Sequence, residues 1–347
     1  MSKNYWEKRA AEKLTLIESM ESKNLNRIKA TIKQIKNNID LEIRDLYIKY
    51  AEDNKMSYSE ALKYLTNDEI KEFKMSLNEY IETARDDFKR SKYRKELQAV
   101  STRVRVSRLE ALKANIIKEI SGLEAILLSQ DKFFKDTYNE SYNFEHYAFE
   151  QFNGFKLSFD KPNTNKIKIL TEYPWSGKSY SDKVWDNTDT LIKNLNSVIT
   201  AGLIQGKNIK ELSKSLDVAM YGKAGNKGTL YNCERLVRTE NAFIVEEATA
   251  DAYSLMGVEK YEISATLDTR TSKVCQEQDG KVYKLKDKKI MVNYPPFHVF
   301  CRTTTLPVVE WEDEEDIPEK RIAKDKQGNT IYIDKMSYDD WKGKYID

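Results

Sequence analysis

The sequence predicts an α+β protein. An extended, mainly helical amino-terminal region is followed by a compact carboxy-terminal domain in which helices pack on a small antiparallel β-sheet. Three observations predict it. Apolar residues recur at three- and four-residue intervals through most of the chain up to about residue 256. Strict two-residue alternation appears only afterwards, at Tyr261, Ile263, Ala265 and Leu267. Turn-forming residues then crowd together, in Asp268–Ser272, Asp279-Gly280 and Pro295-Pro296. The organisation expected is a helical region over 1–155, a linker over 156–180, the α+β domain over 181–309, and an acidic tail over 310–347 with a short hairpin or helix.

In chain order, Leu25, Ile28, Ile32, Ile35, Ile39, Ile43 and Leu46 form a narrow apolar stripe on one long helix. Such a stripe is buried either inside the chain or against a partner. Ser57–Glu60 and Thr66–Glu69 have capping-box spacing ahead of two shorter helices. Another helix carries Leu109, Leu112, Ile116, Ile120, Leu123 and Leu127. At its start Arg103, Arg105 and Arg108 alternate with Val104 and Val106. The arginines are candidates to meet an anionic surface, against the plainer reading of a solvated, salt-bridged face. Phe133, Phe134, Tyr138, Tyr142 and Tyr147 belong to an aromatic-rich helix suited to core or interface, and His146 within it is given no role.

Pro- and Gly-containing punctuation at Lys161–Asn165 and Glu172–Gly177 marks the transition between the two parts. Helices then start near Ser181 and Asn208. The Gly222–Thr229 segment lacks the Gly-x4-Gly-Lys-Ser/Thr spacing and does not follow a strand, so it reads as a helix connector rather than a phosphate loop. A long helix from about Tyr231 to Met256 ends at Gly257, which suits a C-terminal cap. Lys281–Leu285 and Arg302–Val309 read as the second and third strands after the one at 261–267.

The chemistry concentrates at Ala265–Pro307. Two of the three cysteines, Cys275 and Cys301, and one of the two histidines, His298, fall there. Three readings stay open. The trio holds a structural zinc ion, with His298-x-x-Cys301 giving two ligands, Cys275 a third from a facing hairpin, and Asp268, Cys233 or water a fourth. Alternatively, His298 activates a cysteine nucleophile, with Glu240, Asp268 or Arg270 assisting. Or the thiols are simply buried, and Arg238, Glu240, Asp268 and Arg270 form a polar network holding helix to sheet.

The same stretch resembles the carboxy-terminal signature of the phage minor head proteins, the phage Mu F-like or SPP1 head-morphogenesis family. That signature is an apolar strand ending in Asp-x-Arg-Thr, a nearby Cys, an Asp-Gly-Lys hairpin, and Pro-Pro-x-His-x-x-Cys-Arg. Here these are Asp268, Arg270, Thr271, Cys275, Asp279-Gly280-Lys281, Pro295-Pro296, His298, Cys301 and Arg302. Arg235-Leu-Val-Arg238-Thr239-Glu240 resembles the family's Arg-Thr-Glu helix. Tyr5–Arg9 and Ser101–Leu112 resemble its longer members, so the likeness runs over roughly 4–308. Other members carry further cysteines where this chain has Ser272 and Thr303.

The resemblance implies a minor head protein, incorporated in few copies near the portal, that assists head assembly and the fate of packaged DNA. Its implied partners are portal, scaffold and major capsid proteins. It implies a virion location after synthesis in the host cytoplasm, and neither catalysis nor a small-molecule substrate. The alternatives are a DNA-binding protein delivered with the genome, or a toxin-type enzyme that uses the Cys/His cluster. Composition bounds these readings. A net charge of +2 excludes a chain that is basic in bulk, although local basic faces remain open. Three cysteines make no disulfide framework. No apolar run approaches a membrane span, and no secretory leader pattern opens the chain.

Overall fold

A computed structural model describes residues 2–53, 55, 57, 108–153, 162, 163, 165–204, 207, 209–223, 227–309, 320–324 and 330–334. Helices dominate: α1 (Ser2–Asp53), α2 (Arg108–Leu128), α3 (Asp131–Asn153), α4 (Lys166–Glu172), α5 (Tyr180–Ile204), α6 (Ile209–Tyr221) and α7 (Thr229–Leu255). Then come β1 (Lys260–Ser264), α8 (Lys273–Gln278), β2 (Val282–Lys284) and, after an irregular segment, β3 (Thr304–Val308). The α+β class expected from the sequence is the class found. Residues 58–60 of the first capping box, the box at 66–69, Arg103, Arg105 and the acidic run lie outside the described residues. Arg108 opens α2, but its side chain also lies outside them.

The chain divides into two compact units, and both are discontinuous in sequence. The first comprises 1–24, 130–180 and 235–347; the second comprises 25–129 and 181–234. Residues 1–155, read from the sequence as one region, are thus shared between them. Within the span read as a linker, residues 166–172 form α4.

The second unit is a helical bundle. The stripe on α1 is buried within the chain, with Ile28, Ile32 and Ile39 fully excluded from solvent. Polar side chains bridge the helices where the stripe ends. Asn38 donates to Glu119 at 2.8 Å and Asn115 to Glu42 at 2.7 Å, joining α1 to α2. Lys36 of α1 meets Asp217 of α6 at 3.2 Å. Gly202 admits α6 closely, because a Cβ there would fall 2.4 Å from Leu212 Cδ1.

The first unit contains the three-stranded sheet, ordered β2–β1–β3 and antiparallel throughout. Tyr261 pairs with Tyr283 on one side and Pro307 on the other. Tyr261 and Ile263 point into a core that includes Tyr253, Tyr294, Phe297 and Leu306. The beginning of α1 completes this core with Trp6, Ala10 and Ala11, and Phe149 of α3 packs 4.5 Å from the Trp6 ring. Tyr5 donates to the carbonyl of Ala148 at 2.5 Å. A separate two-stranded ladder, β4 (Lys320–Lys324) with β5 (Thr330–Asp334), follows.

Buried charge also ties the first unit together. Lys13 of α1 donates to Glu145 of α3 at 2.5 Å and to Thr249 of α7 at 2.9 Å. Glu246 of α7 accepts from Thr304 of β3 at 2.6 Å. Burial pushes the Glu246 carboxyl up to about 7.

Candidate functional site: the Cys275–His298–Cys301 cluster

The site begins where β1 ends. Asp268–Thr271 is a tight turn built by its own side chains. Asp268 Oδ1 accepts the Arg270 N–H at 2.8 Å, and Thr271 Oγ1 accepts the Asp268 N–H at 3.0 Å while donating to Thr266 O at 2.6 Å. Ser272 then caps α8 by accepting the Cys275 N–H at 3.3 Å. Cys275 therefore projects from a short helix and not from the hairpin expected. The reason is local: the Asp turn ends on a serine that starts a helix before the chain reaches Asp279-Gly280. There Gly280 takes φ 73 and donates to Ile263 O at 2.8 Å, returning the chain to β1.

The other two residues arrive on the irregular segment between β2 and β3. The Pro295-Pro296 bond is cis. Phe300 has φ 57, a left-handed conformation that a bulky side chain disfavours, and its N–H is held by Thr239 Oγ1 at 3.2 Å. In the turn that results, Cys301 donates its backbone N–H to His298 O at 3.2 Å.

These two pieces of chain meet. Cys275 Sγ lies 3.1 Å from His298 Nε2 and 3.7 Å from Cys301 Sγ. All three side-chain ligand atoms lie within 4.8 Å of one another. Both cysteines are buried and His298 is half-buried. His298 Nδ1 is 2.7 Å from Val299 O, which places a proton on Nδ1 and leaves Nε2 for the sulfurs. The two thiols are inequivalent. Its hydrogen bond with Cys301 draws the Cys275 thiol down to about 6 against the opposing effect of burial, with Ser272 and Thr303 hydroxyls assisting. The same bond, then burial, pushes Cys301 up to about 12. Pairing with Cys301 raises His298.

The four residues read from the sequence as one polar network, Arg238, Glu240, Asp268 and Arg270, make separate contacts. Arg302 grips Asp268 with both guanidinium nitrogens, at 2.5 and 2.7 Å. Arg270 reaches the same carboxylate at 3.3 Å from an exposed position. Burial pushes the Asp268 carboxyl up, but Arg302 and Arg270 outweigh it and hold it at about 2. On α7 the Arg-Thr-Glu residues diverge. Arg238 approaches Glu21 at 3.8 Å, Thr239 holds Phe300, and Glu240 accepts from Trp175 Nε1 at 3.0 Å. Trp175 in turn stacks on Phe243 at 5.1 Å. Asp268 is thus committed to arginines, and Cys233 lies in the second unit, where burial pushes its thiol up to about 12. Sequence reasoning missed Lys13, Glu145 and Glu246. Their burial comes from the packing of α1 against α3 and α7, and no local pattern sets them apart from surface Lys and Glu.

The arrangement is suited to holding a soft cation or to fixing two segments of chain. No helix among the described residues is long and apolar enough to cross a membrane. The family model for phage Mu protein F like proteins matches residues 193–306, which include every cysteine and His298. The NAD(+)–arginine ADP-ribosyltransferase EFV of Enterococcus faecalis (strain ATCC 700802 / V583) is 26% identical over 215 residues. That match takes in 57% of this chain and 43% of the relative, so the chain spans less than half the length of the curated relative it matches. No solved structure matches. Residues 193–306 are therefore similar to the phage Mu protein F like proteins.

Proposed function

We propose that this protein is a minor head component of a tailed phage and acts by binding other head proteins during assembly. The family match over 193–306 carries the reading. The buried character of the Cys/His cluster supports it, because two sulfurs enclosed by protein serve structure more readily than turnover. In this reading a few copies associate with the portal vertex and with scaffold or major capsid protein, and remain in the head. Arg103, Arg105 and Arg108 supply an anionic-surface contact, to a partner or to DNA. The test is assembly in a phage deleted for the gene. Defective or unfilled heads, rescued by the full chain and containing it by mass spectrometry, are expected. Normal infectious heads without the protein would refute the proposal.

A second reading, arginine ADP-ribosyl transfer, is favoured by one observation, the likeness to the enterococcal transferase. We infer that the shared stretch is the head-protein portion, since more than half of the relative lies outside the match. Incubation of the full chain with NAD+ and an arginine-bearing acceptor is expected to release no nicotinamide. Turnover abolished in a folded His298→Ala variant would establish the enzyme instead. Salt-dependent binding to duplex DNA would favour the genome-delivery alternative.

A further inference from the structure

We propose that Cys275, Cys301 and His298 form a zinc site that pins the irregular segment between β2 and β3 onto α8. The first argument is dimensional. A tetrahedral zinc ion with Zn–S bonds of about 2.3 Å separates two sulfurs by about 3.8 Å, and a sulfur from an imidazole nitrogen by about 3.5 Å. Cys275 Sγ and Cys301 Sγ stand 3.7 Å apart, one tetrahedral edge. His298 Nε2, at 3.1 Å from Cys275 Sγ, is within roughly half an ångström of the sulfur–nitrogen edge, and all three ligand atoms lie within 4.8 Å of one another.

The second argument is independent of the sulfurs. A metal-binding imidazole commonly donates its other ring N–H to a carbonyl or carboxylate, which fixes the tautomer and turns the free lone pair toward the metal. His298 meets this condition through Nδ1 and Val299 O, at 2.7 Å. The chain beside the ligands is itself tied down. Ser272 accepts the Cys275 N–H at 3.3 Å, and Arg302, which follows Cys301 in the chain, is held by Asp268 at 2.7 Å.

The backbone shows where a cross-link would act. Between the 3-10 turn at Leu285–Asp287 and β3 the chain has no regular element, and its ladder contact is the single Ile290–Tyr294 bridge. Scattered contacts also tie it to the rest of the unit: Tyr294 donates to Glu246 O at 2.9 Å, Tyr261 to Asn293 O at 3.0 Å, Gln278 to Val292 O at 3.1 Å and Thr266 to Arg302 O at 3.0 Å, while Thr239 holds the Phe300 N–H and Arg302 grips Asp268. A metal held from α8 on one side and from His298 and Cys301 on the other joins the segment to the core at its most irregular point. Three protein ligands leave the fourth position to water, on the side where His298 is half-buried. Binding is balanced by release of one proton from each thiol that is neutral before the metal enters, and nothing is oxidised or reduced.

The test uses the full chain, purified under reducing conditions without chelator and incubated with zinc alone. Elemental analysis is expected to give one zinc per chain, and Cys233→Ala is expected to keep it. Cys275→Ser and Cys301→Ser are expected to lose most of it. Reconstitution of the chelated wild-type protein with cobalt(II) reads the ligands without any variant. Sulfur-to-cobalt charge-transfer bands and intense tetrahedral ligand-field bands are expected. Chelation should also lower the melting temperature and open residues 288–303 to protease. The proposal is overturned by near-zero zinc in the folded wild type, or by a cobalt spectrum without thiolate bands. A Cys275–Cys301 disulfide formed in place of metal under these conditions would equally overturn it.

Discussion

Replacing Asp268 with Asn tests whether one carboxylate organises the approach to the site. Asp268 accepts both guanidinium nitrogens of Arg302, at 2.5 and 2.7 Å, and the Arg270 N–H at 2.8 Å. Its carboxyl is held at about 2 against an ordinary 3.8. At about 1.36 kcal/mol per pH unit that interval corresponds to roughly 2.4 kcal/mol, and screening by solvent at the carboxylate's edge brings it to about 1–2 kcal/mol. Asparagine adds a second cost. Its amide nitrogen faces Arg302 donor to donor, and the arginine, 27% exposed, loses its directly paired counter-charge and keeps the weaker pull of Glu18. The total expected loss is about 2–4 kcal/mol, which lowers the melting temperature of a unit this size by roughly 5–10 °C. Calorimetry at pH 7 measures it, with Arg270→Ala as the contrast because that side chain is 74% exposed and should shift little. The pH arm has a definite sign. The folded carboxyl titrates below its ordinary value, so the stabilisation is present above about pH 4 and disappears on the way down to about pH 2. The gap between wild type and Asp268→Asn should therefore close over that interval. A melting shift under about 2 °C, or a gap unchanged by acid, would refute the reasoning.

Three further perturbations follow from the same geometry. Glu246 titrates near 7 in the folded chain against an ordinary 4.5, so its ionised form opposes folding. Wild-type stability should fall by up to about 3 kcal/mol between pH 4.5 and 7, and Glu246→Gln, which keeps an acceptor for Thr304, should remove that component from a urea-midpoint series. Lys13→Met leaves Glu145 buried without its partner and should cost about 3–5 kcal/mol by chemical denaturation, with Glu145→Gln added to it recovering most of the loss. At Gly228 a Cβ would fall 2.3 Å from Gly222 N, against backbone that cannot swing away, so Gly228→Ala should lower stability by about 1–3 kcal/mol in the same assay.

Much of the helical scaffold was legible because burial and periodicity coincide. The isoleucine stripe of α1 is the buried face, Gly257 ends α7 with φ 72, and the alternation at Tyr261 and Ile263 is β1. The trio Cys275, His298 and Cys301 was legible as a cluster because rare residue types crowded a short stretch. Its internal geometry was not. A serine cap, and not a hairpin, sets the position of Cys275, and a left-handed Phe300 anchored by Thr239 shapes the turn between His298 and Cys301. Contacts across long sequence separations leave no periodic trace. Lys13 reads like any other lysine of a charged helix until Glu145 and Thr249 are seen beside it. The Arg238-Thr239-Glu240 run reads as one polar network, yet helical geometry turns three consecutive side chains in three directions.

Trp6, Ala10 and Ala11 fill the same interior as Tyr261, Cys301 and Leu306. On the ribosome the first of these emerges long before the last, so the nascent chain must hold an incomplete apolar surface until synthesis has passed β3. A fragment cut to residues 193–306 would lack both Trp6 and Phe149, and would expose their partners to water. Expression trials should therefore keep the opening turns of the polypeptide attached, and a chaperone that shields them early has a defined interval in which to act.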